Sequence, residues 1–227
     1  MLNRHHISYK IRSLRLITQK NLLSSTRERE YAVLRSAIVE RCVLYSDTQK
    51  IITLSGEEKP PGGWIIDFRN ILLEPEPLSI IADLFWGIFE KEYPFQVGGQ
   101  EVAAIPILSA IVQKSWLVNK PVSGFIIRKT RKEYGLQKQI EGTVTSEKII
   151  LVDDLIHSGT SLLRQIKILK DTGRLINHVF VLCAYNSPAT YHFLHQRNVT
   201  LSSLFTLSDL GLSKAPNTAP LKKLMTK

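Results

Sequence analysis

Cysteine is scarce in this sequence, and long hydrophobic runs are absent. Only two cysteines occur among 227 residues, Cys42 and Cys183. They are too few and too scattered for a disulfide framework or a zinc site, so we expect both in the core and the protein in a reducing compartment, the cytoplasm. No apolar run reaches the ~18 residues that a membrane span needs, because three carboxylates interrupt the best candidate, residues 71 to 89.

Two common phosphate-binding motifs are also missing. The sequence contains neither GxxxxGK[ST] nor GxGxxG, which argues against a P-loop and against a dinucleotide fingerprint. The composition, with 44% hydrophobic and 22% charged residues, indicates an ordinary soluble core. The length fits one domain, with room for a small appendage.

Acidic residues are missing from both ends of the chain. The first 27 residues hold six basic side chains and no acids, and the last 18 hold four lysines and no acids. Residues 28 to 209 carry 20 basic and 20 acidic side chains, so the net charge of +10 comes entirely from the ends. A neutral body argues against a nucleic-acid groove, whereas basic ends suit tails or contacts with an acidic partner, either nucleic acid or protein.

These ends are predicted to be a basic N-terminal extension, residues 1 to 27, and a basic C-terminal tail, residues 213 to 227. The extension has apolar residues at helical spacing but no apolar h-region, which argues against a secretory signal. Three interpretations of the extension remain open: an amphipathic helix that packs on the body, a helix that contacts a membrane or nucleic acid, and a mitochondrial presequence.

The most informative stretch is KIILVDDLIHSGTSLLRQIKILKDTG, residues 148 to 173. An apolar strand over residues 149 to 152 leads into Asp153 and Asp154, then into a small polar turn and an amphipathic helix that Gly173 ends. Amides at a helix N-terminus bind phosphate, and paired carboxylates suit sugar hydroxyls or a hydrated Mg²⁺. The pattern therefore suits a ribose 5-phosphate, although a capped crossover helix beside two solvated acids would look the same.

Strands alternate with helices through most of the remaining chain. Apolar patterns predict helices over residues 28 to 45, 77 to 91 and 102 to 117, and strands over residues 95 to 97, 121 to 128, 179 to 185 and 199 to 205. Before them, residues 50 to 54 and 64 to 68 suggest a hairpin, and Gly98 and Gly99 suggest a turn whose amides reach an anion. Such alternation predicts an α/β fold with a mostly parallel central sheet flanked by helices, and sites at the carboxyl ends of the strands.

Two motifs resemble those of a known family. VDDLIHSGTS is similar to the phosphoribosyl diphosphate (PRPP) signature of type I phosphoribosyltransferases, and RKTRKEYG resembles the flexible catalytic loop of orotate phosphoribosyltransferases. The strand pair at residues 50 to 68 resembles the hood of that family. The resemblance divides the body into a helix and hood, residues 28 to 76, and a phosphoribosyltransferase core, residues 77 to 212. It also implies Mg²⁺ as cofactor and a homodimer. In that dimer the flexible loop that contains RKTRKEYG, here called the lid, would reach from each subunit into the partner's site.

The resemblance assigns roles to particular residues. It implies catalytic roles for Asp153, Asp154 and Lys132, and it places Mg²⁺ near the two acids, in their second sphere or through the ribose hydroxyls. The base would contact His157 and Asn186. The residues that would contact PRPP are Arg128, Lys129, Lys132, Tyr134, Asp153, Asp154, Leu155, Ile156, His157, Ser158, Gly159, Thr160 and Ser161.

The sequence departs from the family's pattern at four places. His157 replaces a small hydroxyl residue, Tyr134 replaces a histidine, Ala103-Ala104 replaces a Lys-Gly pair, and Tyr185-Asn186 replaces an Asp-Arg pair whose arginine grips orotate. We therefore expect phosphoribosyl transfer to orotate or, with an altered base pocket, to another base; His157 or Arg69 would replace the lost arginine in the first case. Alternatives are a regulator or effector that binds PRPP or a nucleotide and acts through a nucleic-acid or protein partner, and a hydrolase.

Overall fold

The computed structural model describes residues 25–45, 52–54, 57–59, 63–130 and 139–213. The predicted extension and tail therefore lie outside the described residues, except for residues 25 to 27 and residue 213. Within the described ranges, no helix combines the length and the apolar character that crossing a bilayer would require. Both cysteines are free and buried, as predicted, and burial raises the pKa of each thiol to about 12.

The N-terminal segments differ from the predicted helix and hairpin. Helix α1 (Ser25–Arg41) ends earlier than predicted, and β1 (Val43–Tyr45) follows it. Strand β1 pairs antiparallel with β4 (Trp64–Ile66), while β2 (Ile52–Leu54) pairs antiparallel with β3 (Glu57–Lys59). The prediction that residues 50 to 54 pair with residues 64 to 68 was therefore wrong, because each of these strands has a different partner.

A six-stranded sheet forms the centre of the molecule, and it confirms the predicted fold class. Its spatial order is β10-β9-β8-β5-β6-β7, with every neighbouring pair parallel except β6 and β7. The strands are β5 (Phe95–Gln100), β6 (Gly124–Ile127), β7 (Ile140–Gly142), β8 (Lys148–Ile156), β9 (His178–Ala184) and β10 (Thr200–Thr206). The further helices are α2 (Arg69–Leu72), α3 (Pro75–Phe89), α4 (Ala104–Leu117), α5 (Thr160–Asp171) and α6 (His192–His195).

Side chains on the central strands alternate between two cores. In β8, Ile150 and Val152 join the core that contains residues of α1, α3 and α4, whereas Ile149 and Leu151 join the core that contains residues of α5 and α6. This alternation follows from the two-residue repeat of a strand. Because both faces of β8 are covered, the continuous apolar run before the acids is explained by burial on both sides.

Gly98 and Gly99 lie within β5, so the predicted glycine turn was wrong. A Cβ atom on Gly98 would lie 2.1 Å from the Phe125 ring on the neighbouring strand β6. A Cβ atom on Gly99 would lie 2.6 Å from Ala104 Cβ and 2.7 Å from the carbonyl oxygen of Val152. Both positions need glycine because neighbouring atoms occupy the space that a side chain would fill.

The polar segment after β6, which begins with the motif that resembles the flexible catalytic loop, contains a short strand. Strand β7 lies within residues 128 to 147 and pairs antiparallel with β6, and the amide of Arg128 donates to the carbonyl of Gln139 at 2.9 Å. Residues 131 to 138, which include the predicted site residues Lys132 and Tyr134, lie outside the described residues.

A partly buried histidine, His178, is the first residue of β9, and desolvation lowers its pKa to about 4. Its Nε2 atom lies 3.0 Å from the Ser202 hydroxyl, and its Nδ1 atom lies 3.7 Å from Glu92 Oε2. The carboxylate favours the protonated ring, but the Glu92 side chain is 43% exposed, so the effect of burial is larger.

We expect His178 to make the free energy of unfolding depend on pH. The folded pKa is lowered, so the contribution is fully present above the unfolded pKa of about 6.5 and is lost as the pH falls towards 4. Because of this group, the free energy of unfolding measured with urea should be roughly 2 kcal/mol higher at pH 7 than at pH 5. His178→Gln should remove that difference while exposed His195→Gln keeps it; equal pH dependence in all three proteins would contradict the assignment.

Candidate active site

A cavity of about 520 Å³ opens where β4, β5, β8 and β9 end. Parallel strands bring their carboxyl ends to the same edge of a sheet, so polar residues that follow different strands meet there. The cavity is lined by Trp64, Ile65, Ile66, Asp67, Arg69, Gln100, Glu101, Val102, Ala103, Lys129, Asp153, Asp154, Leu155, His157, Ser161 and Tyr185.

Asp153 and Asp154 form the acidic centre of this cavity. Strand β8 continues to Ile156, so both acids lie within its last part and not after its end. The Asp154 amide donates to Asp153 Oδ1 at 3.0 Å, and the Leu155 amide donates to Asp154 Oδ1 at 2.8 Å. Burial raises the pKa of both carboxyls, that of Asp153 most strongly because Asp154 adds charge repulsion. The two carboxylates are therefore suited to bind hydroxyl groups, or to bind a cation that would compensate their negative charge.

Hydrogen bonds between polar side chains near the acids connect the central sheet to α5. Gln165, which is only 1% exposed, lies near the Asp153 carboxyl and partly offsets the rise of its pKa, and the Gln165 Nε2 atom lies 3.5 Å from the Ser161 hydroxyl. Ser161 and Arg164 both donate to Gln100 Oε1, at 3.2 and 2.6 Å. The sequence analysis missed Gln100 and Gln165, although each is a polar residue in an otherwise apolar buried pattern.

The turn between β8 and α5 forms a second hollow of about 160 Å³ beside the acids. Gly159 has a φ of +81°, and a Cβ atom there would lie 2.5 Å from the Phe193 ring, so both conformation and space require glycine. Helix α5 begins at the next residue without a side-chain cap, which leaves amides of its first turn available to an anion. Asp153, Leu155, His157 and Ser161 line both hollows, so the two form one continuous surface. The hollow is completed by Ile156, Ser158, Gly159, Thr160, Leu162, Val179 and Val181.

The two described cations of the predicted lid have different positions. Lys129 lines the main cavity, and its amide donates to Glu101 Oε1 at 2.7 Å. Arg128 is not among the lining residues and pairs with Glu141 at 3.5 Å. Ala103 lines the cavity just before α4, where the family's pattern has lysine. Glu101 is a cavity residue that the sequence analysis missed.

Only one of the two predicted base-binding residues lines the cavity. His157 lines the cavity, whereas Asn186 does not; the Asn186 side chain instead donates to the His157 carbonyl oxygen at 3.3 Å. Tyr185 lines the cavity in place of its neighbour, as does Trp64, which the sequence analysis did not single out. An aromatic residue at the start of a predicted hood strand was the available signal for Trp64.

No family model matches the chain, but comparisons with individual proteins find clear relatives. The chain is 31% identical to an orotate phosphoribosyltransferase of Rhodopseudomonas palustris (strain TIE-1) over 147 residues, 63% of this chain and 78% of the relative. It is 33% identical to an orotate phosphoribosyltransferase of Pyrococcus furiosus over 153 residues, 66% of this chain and 78% of the relative.

Solved structures agree on the fold. A phosphoribosyltransferase from Corynebacterium diphtheriae superposes with a TM-score of 0.67 at 21% identity, covering 81% of this chain and 99% of the other. The Mycobacterium tuberculosis orotate phosphoribosyltransferase in complex with PRPP superposes with a TM-score of 0.62 at 23% identity, with the same coverage. Both superpositions extend over nearly the whole of the solved chains.

Proposed function

Because this chain belongs to the orotate phosphoribosyltransferase family of type I phosphoribosyltransferases, we propose that it transfers the 5-phosphoribosyl group of PRPP to a nucleobase with bound Mg²⁺. The observation that carries the proposal is the continuous surface formed by the acid pair Asp153 and Asp154 and the turn at Gly159. A phosphate bound at the turn would place ribose hydroxyls beside the two carboxylates.

The chemistry needs positioning more than covalent participation. A base nitrogen would form a bond to C1 of the ribose while the bond from C1 to the diphosphate oxygen breaks. Asp153 and Asp154 would hold the ribose hydroxyls, and Lys129 would lie beside the departing diphosphate. Fixed contacts on both sides of C1 lower the entropic part of the barrier, and the cation stabilises developing negative charge.

Magnesium fits the charge of this cavity. Among the described residues, no group of three or more His, Cys, Asp or Glu side chains is arranged to hold a metal ion by itself. The two acids, whose pKa values are raised by burial, would hold Mg²⁺ through its water shell or through the ribose hydroxyls, and the diphosphate would supply further oxygens. When bound, Mg²⁺ would neutralise charge on the diphosphate.

Two further features complete the proposal. We propose a homodimer in which the lid of one subunit, including Lys132 and Tyr134, reaches the partner's site, as the family resemblance implies. We also propose a reducing compartment, the cytoplasm, because both described cysteines are unpaired.

The proposal is tested by PRPP binding and by pyrophosphate release. We expect calorimetry to detect PRPP binding in Mg²⁺, and release of pyrophosphate to require both Mg²⁺ and a base. Chelation of Mg²⁺ should lower the rate by at least about a hundredfold, because the diphosphate charge would then be uncompensated, and added Mg²⁺ should restore it. Release without any base would indicate a hydrolase, and PRPP binding without release would favour the regulator or effector.

A further inference from the structure

Three aromatic side chains from separate segments form one wall of the cavity. This aromatic wall consists of Trp64 on β4, His157 after β8 and Tyr185 after β9. The Trp64 and Tyr185 rings have centroids 5.9 Å apart at 33°, and the Tyr185 and His157 rings have centroids 4.2 Å apart at 63°. Flat rings at such spacings offer a planar ligand both a face and edges to pack on.

The charges around the cavity are mostly negative. Among the described lining residues, two cationic side chains, Arg69 and Lys129, face four carboxylates. Those carboxylates belong to Asp67, Glu101, Asp153 and Asp154. An anionic ligand without its own counter-ion would therefore meet net repulsion here.

Arg69 is a cationic lining residue beside the hood strand β4, and its guanidinium is already paired. Its Nε and Nη2 atoms donate to the two oxygens of Asp67, both at 2.7 Å. Each partner shifts the pKa of the other, raising that of Arg69 and lowering that of Asp67, and Asp154 adds a second negative charge near the guanidinium. A carboxylate on the base would have to compete with Asp67 for this bidentate pair.

The position at which the family's pattern has an orotate-binding arginine holds the uncharged Asn186, which does not line the cavity. Asn186 donates to the His157 carbonyl oxygen at 3.3 Å and is outside the cavity lining. Its contact holds the aromatic wall in position instead. Within the part of the chain that the structure describes, the side of the cavity that carries the aromatic wall thus offers ring faces, and its neighbouring guanidinium, that of Arg69, is already paired with Asp67.

We infer that the acceptor is a planar, uncharged nucleobase without a carboxylate, held on the aromatic wall of Trp64, His157 and Tyr185. The inference rests on the proposed function. In the reaction, the lone pair of a ring nitrogen bonds to C1 of the ribose, the diphosphate leaves with the electron pair of the broken bond, and the ring N–H proton passes to solvent. Stacking on the wall fixes the base plane, and the negative surroundings reject a carboxylated base.

Uracil and orotate form the sharpest substrate pair, because orotate is uracil with one added carboxylate. We expect kcat/KM for uracil, or for another neutral base in a panel with hypoxanthine and adenine, to exceed that for orotate by at least about tenfold. Orotate preferred to every neutral base would overturn the inference. PRPP binding without turnover of any neutral base would also overturn the inference of a neutral acceptor, but it would leave PRPP binding at the acid pair and the turn intact. A protein that does not bind PRPP would overturn both this inference and the proposed function.

The Asp67–Arg69 pair supplies a matched set of variants. Asp67→Asn releases the guanidinium, so the ratio of kcat/KM for orotate to that for the neutral base should rise by about tenfold or more. Asp67→Asn combined with Arg69→Gln should return the ratio to the wild-type value. An unchanged ratio in Asp67→Asn would contradict the role given to the pair.

A binding measurement separates the aromatic wall from turnover. Uridine 5′-monophosphate should quench Trp64 fluorescence at lower concentration than orotidine 5′-monophosphate, and Trp64→Phe should remove the signal. Tyr185→Phe keeps the ring and should bind uridine 5′-monophosphate like wild type, whereas Tyr185→Leu should weaken binding about tenfold or more. Equal affinity for both nucleotides, or no effect of Tyr185→Leu in a folded protein, would contradict the wall as the base site.

Discussion

Asp154→Asn is expected to lower kcat/KM for PRPP by about a hundred- to a thousandfold. The change keeps the size and the backbone position of the side chain but removes the negative charge that would hold the ribose hydroxyls and the hydrated cation. The measurement is Mg²⁺-dependent pyrophosphate release with the preferred base. Asp171→Asn, at the exposed end of α5, is the matched control and should retain full activity.

The same substitution is expected to stabilise the fold. Burial raises the pKa of both Asp153 and Asp154 above the ordinary range. A raised folded pKa means that the contribution of these carboxyls to stability is present below the unfolded pKa of about 3.9 and is lost as the pH rises through the folded pKa. Above the folded pKa values the ionised pair therefore destabilises the folded protein, and Asp154→Asn should raise the midpoint of urea unfolding there.

Opposite changes in activity and stability distinguish a functional acid pair from a structural one. Sites that hold unfavourable charge for function commonly gain stability when the charge is removed. If Asp154→Asn lowered both activity and the urea midpoint, the acids would be supporting the fold, and the loss of activity would carry no information about PRPP.

Gly98→Ala is expected to destabilise the protein by roughly 3 kcal/mol, because the new methyl group would overlap the buried Phe125 ring. The Cβ position lies 2.1 to 2.6 Å from three atoms of that ring, and Phe125 is only 1% exposed. Urea unfolding measures the loss. Gly98→Ala combined with Phe125→Leu should recover part of it, because the smaller side chain vacates the overlapping space.

Gly173→Ala is a suitable comparison for this substitution. Gly173 has a φ of +76° and nothing within 4 Å of its Cβ position, so alanine there should cost only about 1 kcal/mol of backbone strain. A Gly98→Ala protein with wild-type stability but weakened PRPP binding would restore the original sequence interpretation, in which the Gly98 amide reaches an anion.

The sequence alone determined those features that depend on neighbours along the chain. The apolar run before Asp153, the glycine-containing turn and the amphipathic α5 are consecutive, so local pattern predicted a strand, an acid pair, a turn and a helix. The alternation of strands and helices likewise predicted a mostly parallel sheet, and the resemblance of two motifs identified the family. Each of these depends on local geometry and hydrophobic periodicity, which one sequence records.

Only the tertiary structure decided which distant segments meet. Local pattern could not assign β1 to β4, because strand partners are chosen by contacts between residues far apart in sequence. It could not distinguish a glycine turn at Gly98 from a glycine in a strand. The atoms that leave no room for a side chain at Gly98 belong to Phe125, on a different strand. Tyr185 lines the cavity and Asn186 does not, although the two are adjacent. The direction in which each side chain points after a strand end is set by the surrounding packing, and that packing exists only in the folded molecule.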